Sequence, residues 1–124
     1  MKEIDIVNLK TDEWRKVRHQ YVNDRPNRIE KEKALEIIIQ QLNNNKINYF
    51  ISGGTLLGIY RDRELIEWDY DIDIDILKET YNEVITLIDI LSKEYNYPYR
   101  IGNNIFHPKI SIFINQVKVS ISCL

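Results

Sequence analysis

From Trp68 to Leu77 the chain reads WDYDIDIDIL, an alternation that places Asp69, Asp71, Asp73 and Asp75 on one side of an extended segment. Tyr70, Ile72, Ile74 and Ile76 fall on the other side, so the segment is a strand with one apolar and one acidic face. A chain carrying such a strand must cover its isoleucines with other elements, and it must also deal with the carboxylates. Neighbouring aspartates two residues apart stand about 6.6 Å from each other. At an effective dielectric near 20, each ionised pair at that spacing costs roughly 2 kcal/mol, so a cationic partner is expected on this face.

The elements around this strand follow from spacing. Ile29 to Asn43 brings Ile29, Leu35, Ile38, Ile39 and Leu42 near one another at helical period, which predicts an amphipathic helix. The Asn43-Asn44-Asn45-Lys46 stretch stops it, and Ile47 to Ile51 is strand-like and runs into Ser52-Gly53-Gly54. Thr55 to Tyr60 makes a short helix after the glycines. Glu79 to Tyr95 returns to helical spacing through Val84, Leu87, Ile88 and Leu91, ending before Tyr97-Pro98. Lys109 to Ile114 and Val117 to Leu124 read as two strands joined by a tight turn at Asn115-Gln116. The fold class expected is α+β (α/β), a mixed β-sheet flanked by helices.

At 124 residues, with 44% apolar and 29% charged side chains, the chain is expected to form one domain spanning 1–124, its first 28 residues of uncertain structure. A net charge of −2 gives no bulk attraction for nucleic acid or an anionic membrane. Any anionic substrate must therefore be captured locally. Lys10, Arg15, Lys16, Arg18, Arg25 and Arg28 make the first segment basic, which leaves open a solvated helix face or a phosphate- or RNA-contacting surface. The single cysteine, Cys123, closes no intrachain disulfide and in an apolar strand is expected to act as a small buried hydrophobe. His19 and His107 have no Asp or Cys at ligand spacing, and Trp68 is expected to pack beside the acidic strand. With no signal peptide and no membrane span, a cytoplasmic location is expected.

A hard divalent ion with oxygen ligands suits the acidic face. Mg²⁺, or Mn²⁺ in its place, typically takes one or two carboxylates together with substrate phosphates, an arrangement suited to phosphoryl-transfer chemistry. The other familiar use of Asp-x-Asp-x-Asp, an EF-hand loop, fails. Starting it at Asp69 or Asp71 puts Ile74 or Ile76 at the turn glycine, and Thr80 or Asn82 at the bidentate glutamate. The plain alternative is an acidic face with no ligand, but four aligned aspartates are poor strand formers. Ser52-Gly53-Gly54-Thr55, after a strand and opening a helix, lets backbone N–H groups approach a phosphate. A Gly-Gly pair alone is an ordinary turn; an Asp-x-Asp strand fewer than twenty residues later gives it meaning.

Gly54-Thr55-Leu56-Leu57-Gly58-Ile59-Tyr60-Arg61, followed by Ile66-Glu67-Trp68-Asp69-Tyr70-Asp71-Ile72-Asp73-Ile74, resembles the signature of the LicD/fukutin family of nucleotidyltransferase-fold proteins. The likeness covers Ser52 to Ile76. It implies a nucleotidyltransferase-like sheet with metal at Asp71 and Asp73, phosphate held by Ser52, Gly53, Gly54 and Thr55, and Arg61 supporting the site. Asp69 matches the acidic residue preceding the pair, while Tyr70 replaces the family's middle aspartate. Asp69 and Asp75 are accessory candidates. The late strand resembles the one that carries the family's third carboxylate, but Ser120 stands where the aspartate is expected. Strand alternation puts Lys118, Ser120 and Ser122 on one face, so Lys118 is expected to bring a positive charge towards the carboxylates.

Such proteins transfer a phospho-alcohol from a CDP-activated donor to a glycan, and they are longer than this chain, so the region that shapes an acceptor site is expected to be missing here. The resemblance thus implies a Mg²⁺-dependent transferase taking a nucleoside triphosphate or CDP-alcohol, with an unnamed acceptor. Two other readings share the fold: a nucleotide-binding module without catalysis, and a protein-interaction subunit.

Overall fold

A computed structural model describes residues 27–65, 71–102 and 108–124. Helix α1 (Arg28–Asn44) leads into strand β1 (Tyr49–Ile51), helix α2 (Gly53–Asp62) and strand β2 (Asp71–Ile76). A 3₁₀ turn at Lys78–Thr80 opens helix α3 (Tyr81–Tyr95), and strands β3 (Tyr99–Ile101), β4 (Lys109–Ile114) and β5 (Val117–Cys123) follow. The five strands form one sheet in the order β1-β2-β5-β4-β3. Only β2 and β5 run parallel; the other neighbouring pairs are antiparallel, so the sheet is mixed and the fold is α+β.

Local chemistry sets the boundaries. The Asn27 side chain accepts from the Glu30 N–H at 2.9 Å, capping the start of α1. Asn96, in the left-handed region at φ 59°, ends α3 just before Tyr97-Pro98. Asn115 and Gln116 both have positive φ, 49° and 71°, the two-residue turn whose twist suits a hairpin between β4 and β5.

The strands divide their side chains cleanly. Ile72, Ile74 and Ile76 of β2, Val119 and Ile121 of β5, Ile110 and Ile112 of β4 and Tyr99 of β3 belong to one buried cluster. Ala34, Ile38 and Leu42 of α1, with Val84, Ile88 and Leu91 of α3, complete it. Both long helices therefore cover the apolar side of the sheet, and the acidic side of β2 faces the other way. The Tyr99 hydroxyl bonds to Asp89 Oδ1 at 3.1 Å, tying β3 to α3. Cys123 is buried at the end of β5, where burial pushes its thiol pKa up.

Four details differ from the sequence expectation. Ile29 is 63% exposed rather than on the packed face; Leu35 and Ile39 sit at its margin, while Lys31 and Ala34 are buried. The first strand begins at Tyr49 instead of Ile47. The glycines do not precede α2 but form its first turn. Strand β3 was not foreseen, because three residues are too few to show alternation. Asp69, Tyr70, Trp68, His19, His107 and the basic segment before Asn27 lie outside the described residues. Among those described, no helix is long and apolar enough to cross a membrane.

Candidate active site around Asp71 and Asp73

The acidic side of β2 is framed differently along its length. Its C-terminal half pairs with β1, Ile51 standing opposite Ile74 and Phe50 opposite Asp75. Beyond Ile51 the chain turns into α2, and the first turn of that helix takes over the edge that β1 leaves. The Ser52 N–H donates to the Asp73 carbonyl at 3.0 Å. The Asp73 N–H donates to Thr55 Oγ1 at 2.8 Å, and that hydroxyl also lies 3.5 Å from the Asp71 carbonyl. Thr55 is 2% exposed, so its hydroxyl completes the hydrogen bonding of the strand edge.

Gly53 has a different task. Its φ is +54°, in the left-handed region, and a Cβ built there would stand 2.8 Å from Asp73 Oδ2 and 3.0 Å from Asp73 Cγ. Only glycine admits both this backbone and this carboxylate. The Asp73 carboxylate thus rests against the N-terminus of α2, where unpaired N–H groups and the helix dipole favour negative charge.

On the opposite flank runs β5, in parallel register with Asp71 beside Lys118, Asp73 beside Ser120 and Asp75 beside Ser122. Ser120 Oγ donates to Asp71 Oδ2 at 3.1 Å, and Lys118 Nζ lies 3.4 Å from the same oxygen. Asp75 accepts a hydrogen bond from Ser52 Oγ at 3.1 Å. The repulsion expected along β2 is therefore offset one residue at a time: Asp71 by Lys118 and Ser120, Asp73 by the helix end, Asp75 by Ser52.

The sequence candidates so fall into three groups. Asp71, Asp73, Ser52, Gly53, Thr55, Lys118 and Ser120 are brought together, with Asp75 one step along the strand and Gly54 in the same helical turn. Asp69 is outside the described residues. Arg61, at the far end of α2, places its guanidinium 2.9 Å from Asp62, a neighbour that raises its already high pKa. What the sequence did not reveal is that Thr55 is a clamp on the strand and that Gly53 makes room for Asp73. The signal present was a strand–Ser–Gly–Gly–Thr junction, which shows that a tight approach occurs but not which group approaches.

Thr55→Val keeps the shape and removes the acceptor of the Asp73 N–H. That change is expected to lower stability by about 1–2 kcal/mol, the cost of a buried donor left unpaired. Chemical denaturation measures it; a loss below about 0.3 kcal/mol would mean that water replaces the hydroxyl.

The donor set is all oxygen: two carboxylates on one strand face and a serine hydroxyl beside them. That is hard-ion chemistry, and the two carboxylates match what Mg²⁺ takes when phosphates supply other positions. Among the described residues no group of three His, Cys, Asp or Glu side chains stands where it could hold a metal, so the pair is not a closed protein cage.

A mixed sheet with helices on its apolar side and paired aspartates beside a glycine-opened helix on the other is the arrangement expected of a nucleotidyltransferase-type domain. Residues 46–110, just over half of the chain, match the LicD/FKTN/FKRP nucleotidyltransferase domain, and the chain belongs to that family. The matched stretch runs from the turn before β1 into β4 and contains Gly53, Asp71 and Asp73, whereas Lys118 and Ser120 lie beyond it. The chain is also similar to the uncharacterized protein RT0683 of Rickettsia typhi, with 35% identity over 98 residues. That alignment covers 74% of this chain and 31% of the relative, so the chain spans about a third of the curated relative's length.

Proposed function

We propose that this domain binds a nucleotide or CDP-alcohol with Mg²⁺ or Mn²⁺ at Asp71 and Asp73 and transfers a nucleotidyl or phospho-alcohol group. The observation that carries this reading is the packing of the Asp73 carboxylate against Gly53 at the start of α2. It brings the aspartate pair and a helix N-terminus, two devices for handling phosphate, within one substrate's reach. Family membership supports the same chemistry.

Asp71 and Asp73 are the residues that would hold the ion. When bound, it neutralises phosphate charge and polarises the phosphoryl oxygens. The chain's own residues fix the geometry. Ser120 orients Asp71 by donating to Oδ2, and Thr55 locks the backbone that carries both aspartates. Gly53 makes room for the Asp73 carboxylate at the helix end, and the N–H groups of that turn would meet the donor phosphates. Catalysis of this kind is positioning and charge stabilisation of an in-line displacement more than covalent chemistry by the protein.

A second reading, a nucleotide-binding module with weak or no turnover, is favoured by Ser120. Its hydroxyl faces Asp71 at the position where the resemblance expects a third carboxylate. A neutral hydroxyl is a weaker Mg²⁺ ligand than a carboxylate and a poor base for an acceptor hydroxyl.

The test is a thermal-shift series with CTP, ATP, GTP, UTP and CDP-alcohols, each with and without Mg²⁺ or Mn²⁺. The metal is expected to stabilise the protein more when a nucleotide is present, by several degrees at saturating ligand. Asp71→Asn with Asp73→Asn should abolish that increment, measured against the variant's own metal-free melting point. An unchanged metal response in the double variant would place the ion elsewhere.

A further inference from the structure

Two donors converge on one oxygen of Asp71. Ser120 Oγ stands 3.1 Å and Lys118 Nζ 3.4 Å from Oδ2. They differ in freedom. Ser120 is 2% exposed, and its hydroxyl sits on a short side chain at the middle of β5. Lys118 carries its ammonium on a long flexible stem, so it can turn without moving the strand. We propose that Lys118 is the second cation of this site: it holds Asp71 while no divalent ion is bound, and turns to a phosphate oxygen of the donor when one is. The proposal rests on the transferase reading above and deepens it by fixing the number of metal ions and naming a phosphate ligand on β5.

Place is the first support. Sites that work with two divalent ions set them about 3.5–4 Å apart, so that both the attacking and the leaving oxygen meet positive charge. Here the flank of Asp71 towards β5 already holds an ammonium, and the neighbouring inward residue of that strand, Ser120, is a neutral hydroxyl. A second divalent ion on that flank would meet a positive charge and gain no anionic ligand from Lys118 or Ser120. One divalent ion at Asp71 and Asp73, with the ammonium beside it, brings positive charge to a phosphate from two groups.

Environment is the second support. The Lys118 and Asp71 side chains are only 18% and 25% exposed, so their pair is less screened than one in open solvent. The resident ammonium therefore opposes a divalent ion at Asp71, and that opposition is relieved when a phosphate arrives to take Lys118 over. Metal and phosphate thus have a physical reason to bind together. Ser120 keeps its hydrogen bond to Asp71 throughout, so the carboxylate stays oriented when the lysine leaves.

Mn²⁺ uptake is followed by electron paramagnetic resonance in the natural protein, Lys118→Met and Lys118→Arg, alone and with pyrophosphate or CDP. Without either anion, Lys118→Met is expected to bind Mn²⁺ about fivefold more tightly than the natural protein, because the opposing charge is gone. In Mg²⁺ the same variant should bind pyrophosphate and CDP about tenfold more weakly, and Lys118→Arg should restore most of that loss. With the anion bound, the natural protein should take up one Mn²⁺ per chain. Pyrophosphate binding that depends on Lys118 in a protein that ignores CDP would support this role and sink only the nucleotide reading. A lysine that merely braces the fold would lower the melting temperature when removed, while Mn²⁺ affinity stayed the same or weakened and pyrophosphate affinity stayed within about twofold. Either of those affinity results, or a second Mn²⁺ of similar affinity in the natural protein, would overturn the proposal.

Discussion

Gly53→Val is expected to lower the stability of the domain by about 3 kcal/mol and to erase its response to divalent metal. Two costs add. A side chain at φ +54° occupies the left-handed region, worth roughly 1–2 kcal/mol for an ordinary residue and more for a β-branched one. The new Cβ also meets Asp73, not only at its carboxylate, 2.8 Å away, but at its own Cβ, 3.2 Å away, so turning the carboxylate aside does not relieve the contact. Forcing atoms into a packed site typically costs about 1–3 kcal/mol. The melting temperature should fall by on the order of 10 °C. Asp73 is one of the two proposed ligands, so the metal increment should vanish even at temperatures where the variant is folded. Gly53→Ala carries the same two penalties in milder form. A valine variant that melts within a degree or two of the natural protein would show that the turn relaxes and that the glycine is not holding Asp73 in place.

Ser120→Asp is expected to tighten divalent-metal binding by about tenfold or more and to weaken the metal-free protein. Ser120 is 2% exposed and its hydroxyl donates to Asp71. An aspartate there loses that donor and puts a third anion beside Asp71, with Lys118 as the nearest recorded counter-charge. Without metal the crowded carboxylates repel one another, and the loss should be about 2 kcal/mol at the effective dielectric of a partly buried site. With metal the same oxygen becomes a ligand, and tenfold in affinity corresponds to about 1.4 kcal/mol. The variant should therefore be less stable than the natural protein in chelator and recover in Mg²⁺. Transfer activity, if Ser120 limits it, should rise in parallel. Strong transfer by the natural protein that the variant leaves unchanged would refute the reading of a missing third carboxylate.

The acidic strand was legible because alternation in Asp-Ile-Asp-Ile-Asp-Ile leaves one choice of face, and the observed burial follows it residue by residue. The β4–β5 hairpin was legible for a similar reason: two apolar runs separated by two turn-forming residues fix both strand ends and the register. The β2–β5 register sets Ser120 and Lys118 beside Asp71; the resemblance implied that pairing, and alternation in Val117–Cys123 gave the face. Other features depend on contacts that no local pattern encodes. The hydrogen bond from the Asp73 N–H to Thr55 joins residues eighteen apart, and nothing in either residue's neighbourhood announces it. Lys31 is buried on α1 where a helical wheel places a solvated lysine, because tertiary packing decides which side of a mixed helix turns inward. Arg100 belongs to a strand too short to be read, so its place opposite Ser111 emerged only once β3 had been placed against β4.

The claim that Asp71 and Asp73 form a divalent-metal site completed by substrate phosphate is tested most directly by titrating Mn²⁺ and following the free-ion signal by electron paramagnetic resonance. The natural protein is compared with Asp71→Asn/Asp73→Asn, each with and without CDP. Weak binding is expected of the natural protein alone, at least tenfold tighter binding when CDP is present, and neither in the double variant. Mn²⁺ affinity that is indifferent to CDP, or that survives loss of both aspartates, would contradict the claim.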